Sequence, residues 1–338
     1  MQKKSDLISF VQTLGIILVV VGHSFHAYGN DIFWHKWIYS FHMPLFMCVS
    51  GYLLHYSLAA KGQILDNQTI GWKLKYLVRK IKRLLLPYVA ISTLAYFPKF
   101  LLNRYSARPV DLSLRGYIDM LIYPWDNVIV FFWFLPTLFL IFVIFLFGHE
   151  IFKLIQRGRV VWVMILMVLL HLLNPLEHIR FLNISGVVSY LMYFALGYYM
   201  SKLHVVKVLS GRSKPFMLGS FVISVIFIYV PAFFAKDILM AVNGIIMCFC
   251  LGLICTNAGV KLLNPLFGAS FTIYLYSWFP QVVCQQILLS VFPQTPPLVS
   301  MILAVSTGIL IPWLIYKLIL KVKRQSVYGN CLAIISGL

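Results

Sequence analysis

Three histidines stand at the ends of apolar runs. "VGHSFHAYGN" (21–30) ends an uncharged stretch, "SFVQTLGIILVVV" (9–21), and carries His23 and His26. A helix that starts near Leu7 puts His23 about 24 Å along its axis, at about 1.5 Å per residue, toward the far side of a bilayer core. His26 falls one turn later on the same face. The second run, "IYSFHMPLFMCVSGYLL" (38–54), opens with His42 and Pro44. Pro44 has no N–H to give a helix, so it loosens the turn around His42 and frees backbone carbonyls. An imidazole ionises near neutrality and can take a proton from a hydroxyl. Within a membrane it is costly unless it faces protein or water. His23 and His42 are therefore candidates for catalysis and His26 for substrate contact. The plainer alternative is an interfacial histidine bonded to a neighbour. Antiparallel helices joined by a short outer loop would bring His23 and His42 into one cleft.

The elements that must position them follow from composition. Of 338 residues, 61% are hydrophobic and only 11% charged, with mean hydropathy +0.88. A soluble domain usually carries about a quarter charged residues. This chain has too little polar surface for water, which predicts an all-α, polytopic transmembrane helical bundle. Apolar runs predict about ten spans, near 7–26, 38–58, 84–102, 128–148, 160–174, 184–201, 216–235, 238–258, 265–290 and 298–319. With the N-terminus inside, Lys and Arg favour the inner segments by about three to one, which supports N-in and C-in. The net charge of +19 is then membrane anchoring and not a nucleic-acid surface. The basic N-terminus before the first run lacks a small-x-small cleavage site and reads as a retained anchor. Residues 1–324 are expected to form one transmembrane domain, with 325–338 a short C-terminal tail.

Two long polar stretches interrupt the spans. Residues 59–83 include "WKLKYLVRKIKRLLLPY", which alternates apolar and cationic residues as a helix lying on the membrane face would. Arg79, Lys80, Lys82 and Arg83 concentrate positive charge there, either as inner anchors or as partners for phosphates. Residues 103–127 mix Arg, Asp, Tyr and Trp and end in Trp125 and Asp126. That mixture can hold a sugar by ring stacking and hydrogen bonds. Six cysteines show no metal or disulfide spacing. No GxGxxG, Walker A or HExxH occurs, so no metal site or nucleotide hydrolysis is expected.

"GIILVVVGHS" followed by "IYSFHMPLFMCVSGYLL" resembles the opening of the membrane acyltransferase-3 family, in the branch of fucose acetylases and O-antigen acetylases. The resemblance continues through "KRLLLPY" (82–88), "FFWFLPTLFL" (131–140), "YFALGYYM" (193–200) and "FGASFTIYLYSWFPQVVCQQ" (267–286). It implies an integral enzyme of the bacterial cytoplasmic (inner) membrane with about ten spans. Such an enzyme moves an acetyl group from cytoplasmic acetyl-CoA to a hydroxyl of a surface polysaccharide or lipid-linked sugar. The family's essential histidine corresponds to His23. His42 would orient His23 or bind the acceptor, and Arg79, Lys82 and Arg83 would meet the CoA phosphates. Trp133 matches the family's Trp-Phe-Leu motif, as a belt aromatic or as a ring packed on acyl chain or sugar. Tyr274, in the last matched segment, is a further substrate candidate. The chain departs from the family pattern at Gln12, where members commonly have Arg or Lys, at Ser9, where many have Asp, and at Ser277, where some have His.

A transporter or flippase for a lipid-linked glycan is the competing class. It would need buried counter-charge, and all nine carboxylates fall in loops or at span ends.

Overall fold

The computed structural model describes residues 2–24, 32–102, 111, 113–155, 160–323 and 325–338. Among the described residues the regular structure is helical and there is no strand. In chain order the α-helices are α1 (Gln2–Gly22), α2 (Phe33–Tyr39), α3 (His42–Ala59), α4 (Ile70–Lys80), α5 (Leu86–Leu102), α6 (Leu114–Ile122), α7 (Phe134–Ile155), α8 (Val160–Leu173), α9 (Ile184–Lys202), α10 (Val205–Gly211), α11 (Ser213–Tyr229), α12 (Lys236–Asn257), α13 (Ser270–Tyr276), α14 (Trp278–Val291), α15 (Pro297–Lys323) and α16 (Val327–Ile335). A π-turn, Ile81–Leu85, joins α4 to α5.

Among the described residues, five helical stretches are long and apolar enough to cross a membrane: Phe33–Ala59, Val130–Gly148, Phe181–Lys202, Lys236–Asn257 and Pro297–Lys323. A sixth is counted if α10 and α11, bent by 96°, form one broken span. Asp6–Gly22 and Val160–Leu173 are shorter apolar helices. The expected run at 84–102 is the 17-residue α5, and that at 265–290 is broken at Ser277 between α13 and α14. Leu310, Leu314 and Leu318 of α15 all lie open. Such a face is at ease in hydrocarbon and costly in water.

The chain divides into two compact units, residues 1–56 with 196–321 and residues 57–195 with 322–338. In the first, α1 packs on α12 and α13, and α11 runs along α12. Small residues set the approach distances. A Cβ on Gly197 would run into the backbone carbonyl of Cys48, and one on Gly244 would run into the Phe41 ring. In the second unit, α4, the π-turn and α7 pack together, with Phe142, Phe145 and Phe194 buried between them. The residues after 324 form α16, which packs on α5 and the π-turn with Ala333 and Ser336 fully buried. All six cysteines are free.

Candidate active site

His23 sits in the turn that closes α1, its N–H bonded to the Val19 carbonyl. This end of α1 is fixed from a distance in sequence. Gln281 of α14 donates from Nε2 to the Val20 carbonyl at 3.0 Å and to Ser24 Oγ at 2.8 Å. Ser24 Oγ in turn donates to Val20 O at 2.8 Å. Both side chains are buried, so each polar group is matched within the protein, as burial requires. Gly308 of α15 leaves the room, since a Cβ there would lie 2.7 Å from Gln281 Cγ.

His42 opens α3. Pro44, in the first turn of α3, cannot donate to a carbonyl four residues back, and α2 and α3 are separated there by the Ser40–Phe41 turn. The His42 Nδ1 lies 2.9 Å from the Ile38 carbonyl. A carbonyl only accepts, so Nδ1 carries the proton and neutral His42 presents Nε2 as a lone pair.

Tyr39 joins the two histidines. Its Oη lies 3.1 Å from His23 Nδ1. Its ring meets the edge of His42 at 4.8 Å between centroids and stacks on His35 at 4.0 Å. Gly22 makes the approach possible, because a Cβ there would lie 3.0 Å from Tyr39 Cε2. The structure thus brings both His23 and His42 into contact with one phenol. His26 lies outside the described residues. Among the described residues no three His, Cys, Asp or Glu side chains are grouped as metal ligands. Tyr274 is buried in α13, its ring stacked on Phe271. Gln12 is half-buried in α1, and Ser277 is buried at the α13–α14 break.

The other predicted residues belong to the second unit. Thr69 caps α4 by accepting from the Trp72 N–H. The π-turn follows from Pro87, which removes a helical donor and crowds the preceding turn. The Leu86 N–H reaches back to the Ile81 carbonyl, one residue further than in an α-helix. Arg79, Lys82 and Arg83 are exposed on this segment. Lys80 is not. Its Nζ lies 4.0 Å from the Phe142 ring centroid and 5.2 Å from that of Tyr76. Burial, then the Arg83 and Arg79 charges, push its ammonium down to about 7. Tyr88, last of the "KRLLLPY" segment, donates to the Leu121 carbonyl at 3.0 Å and so ties α5 to the end of α6.

Trp133 is buried between two rings, Trp125 at 5.0 Å and Tyr190 at 5.2 Å, both stacked. With both faces covered, Trp133 supports the stack, and Trp125, 41% exposed, is its open end. Trp125 Nε1 donates to Asn183 Oδ1 at 2.9 Å, and Asn183 Nδ2 donates to Thr137 Oγ1 at 2.7 Å. Asn183 holds a left-handed backbone, φ +55°, a conformation asparagine tolerates better than most residues. Arg180 grips both oxygens of Asp126, at 2.8 and 3.0 Å. An exposed indole beside a fixed carboxylate–guanidinium pair is suited to a polyhydroxylated ligand.

Sequence reasoning missed Tyr39, Gln281, Asn183 and Arg180. The only signal for Tyr39 was its place one turn before His42, and for Gln281 a polar amide inside an apolar run.

The family model described as an acyltransferase domain, Acyl_transf_3, matches residues 7–317. Over 142 residues the chain is 31% identical to the nodulation protein NolL of Mesorhizobium japonicum, a match covering 40% of this chain and 33% of that protein. The matched region is thus about a third of the length of the curated relative. No solved structure matches the chain. Matched over nearly its whole length and at both histidine-bearing segments, the chain belongs to the acyltransferase-3 family.

Proposed function

We propose that the protein is an O-acetyltransferase of the bacterial inner membrane, with about ten spans and both termini inside. In this reading it moves acetyl from cytoplasmic acetyl-CoA to a hydroxyl of a surface polysaccharide or lipid-linked sugar. The family supports an acyltransferase, and the observation that carries the assignment of the site is the pair His23 and His42 on one tyrosine.

In the proposed step His23 Nε2 takes the proton of the acceptor hydroxyl. The oxygen forms a bond to the thioester carbonyl carbon, the C–S bond breaks, and CoA leaves as a thiolate that receives the proton from His23. His42, whose ring meets the same tyrosine, accepts a hydrogen bond from the acceptor sugar at Nε2. Arg79, Lys82 and Arg83 hold the CoA phosphates on the inner side, being exposed cations, two of them guanidiniums whose planar fork matches phosphate. Trp125 and Asp126 bind sugar, with Trp133 stacked behind Trp125; Tyr274 and His26 are further substrate-binding residues.

The test is label transfer. Purified protein in lipid vesicles is given acetyl-CoA labelled in the acetyl group and a lipid-linked glycan. Label in the glycan supports the reading. Unbound acetyl-CoA and no label in any glycan acceptor would overturn it.

A further inference from the structure

We propose that Tyr39 is a positioning residue for His23, a role that rests on the acyl-transfer reading and extends it. A base that uses Nε2 must carry its other proton on Nδ1, and that proton needs an acceptor of fixed position. Tyr39 Oη, 3.1 Å from His23 Nδ1, is that acceptor. The phenol is itself held against rotation and translation. His35 stacks on its ring at 4.0 Å, His42 makes a T-shaped contact with it at 4.8 Å, and the ring packs on the bare backbone of Gly22. The peptide units that carry His23 are fixed on the other side by Gln281 and Ser24.

The arrangement does two things. With Nδ1 donating to the phenol oxygen it leaves Nε2 free, and it strengthens as His23 gains a proton, because a hydrogen bond from an imidazolium is stronger than one from a neutral ring. Among the described residues, the titratable side chains in contact with this pair include His35 from α2 and His42 from α3. From α1 and α14 the groups are Ser24 and Gln281, which do not titrate.

Tyr39→Phe keeps the ring and removes the acceptor. Two readouts separate this proposal from the activity it rests on. The first is the pH profile of acetyl transfer in lipid vesicles. The variant is expected to lose about tenfold in kcat, the worth of one hydrogen bond, with KM for acetyl-CoA unchanged and the acidic limb moved to lower pH. The second needs no activity: the rate at which diethyl pyrocarbonate modifies His23, followed by mass spectrometry against pH. The half-point of that curve is expected to fall in Tyr39→Phe. An unmoved half-point, or a kcat loss with no movement of the acidic limb, overturns the positioning role. An unlabelled glycan with wild-type protein overturns the acetyltransferase reading and leaves the modification curve to decide on Tyr39.

Discussion

Gln281 Nε2 donates to Ser24 Oγ over 2.8 Å, across 257 positions of sequence. The bond ties the end of α1, where His23 emerges, to α14. Gln281→Leu keeps the volume and removes the donor, taking one buried hydrogen bond from the Val20 carbonyl, which keeps that from Ser24 Oγ, and one from Ser24 Oγ. Each such bond is worth about 0.5–1.5 kcal/mol. The thermal unfolding midpoint in detergent should fall, and acetyl transfer should fall further than folded protein does, because His23 loses its mooring.

Gly22→Ala acts on the same turn from the other side. The new methyl would lie 3.0 Å from Tyr39 Cε2, closer than packed carbons sit. The phenol must recede, and the 3.1 Å contact with His23 lengthens. We expect a large fall in kcat with near-normal yield and unchanged affinity for acetyl-CoA. Gly197→Ala gives the contrast. Its Cβ would run into the Cys48 carbonyl, and a backbone cannot move aside as a side chain can. That variant should fail to accumulate as folded protein.

The buried ammonium of Lys80 sets a pH dependence on stability. Its folded value, about 7, lies below the ordinary lysine value of 10.5. Between those values the unfolded chain binds the extra proton, so stability rises with pH from about 7 toward 10 and the full cost of burial is felt below 7. Lys80→Met removes the titrating group and keeps the contact with Phe142 and Tyr76. Its unfolding midpoint should exceed that of wild type at pH 6, and the gap should narrow as pH rises to 9.

Asn183 holds two side chains at once and does so from a left-handed backbone. Asn183→Ala should lower stability by about 1–3 kcal/mol, by the loss of bonds and by backbone strain. Trp125→Ala should instead leave folding largely intact, since its ring is the open end of the stack, and raise KM for the glycan more than it lowers kcat. Kinetics with varied acceptor check the second, and unfolding curves the first.

Particular residues show how far the sequence could be read. Helical class was legible in the apolar runs, because period and charge content report directly on a hydrocarbon environment. The sequence put His23 and His42 at the ends of consecutive apolar runs, and both touch Tyr39. The tyrosine they share was not legible, since the pairing of Tyr39 with His23 depends on the path of the loop and on the bare backbone at Gly22. Gln281 and Asn183 act across 257 and 58 positions, and no local pattern encodes such bonds. Trp133 read as a belt aromatic or as a ring packed on acyl chain or sugar, and its partners in the structure are the rings of Trp125 and Tyr190. The basic segment was read correctly as amphipathic, but its π-turn and the inward turn of Lys80 come from Pro87 and from aromatic rings on other helices.

The central claim is that His23 takes the proton of the acceptor hydroxyl. Wild type and His23→Ala, matched for folded yield and for acetyl-CoA binding, are compared for transfer of labelled acetyl to a glycan in lipid vesicles. Label is expected in the glycan with wild type, and a loss of at least about 100-fold, on the order of a general base's contribution, with His23→Ala. Equal transfer by the two proteins would contradict it.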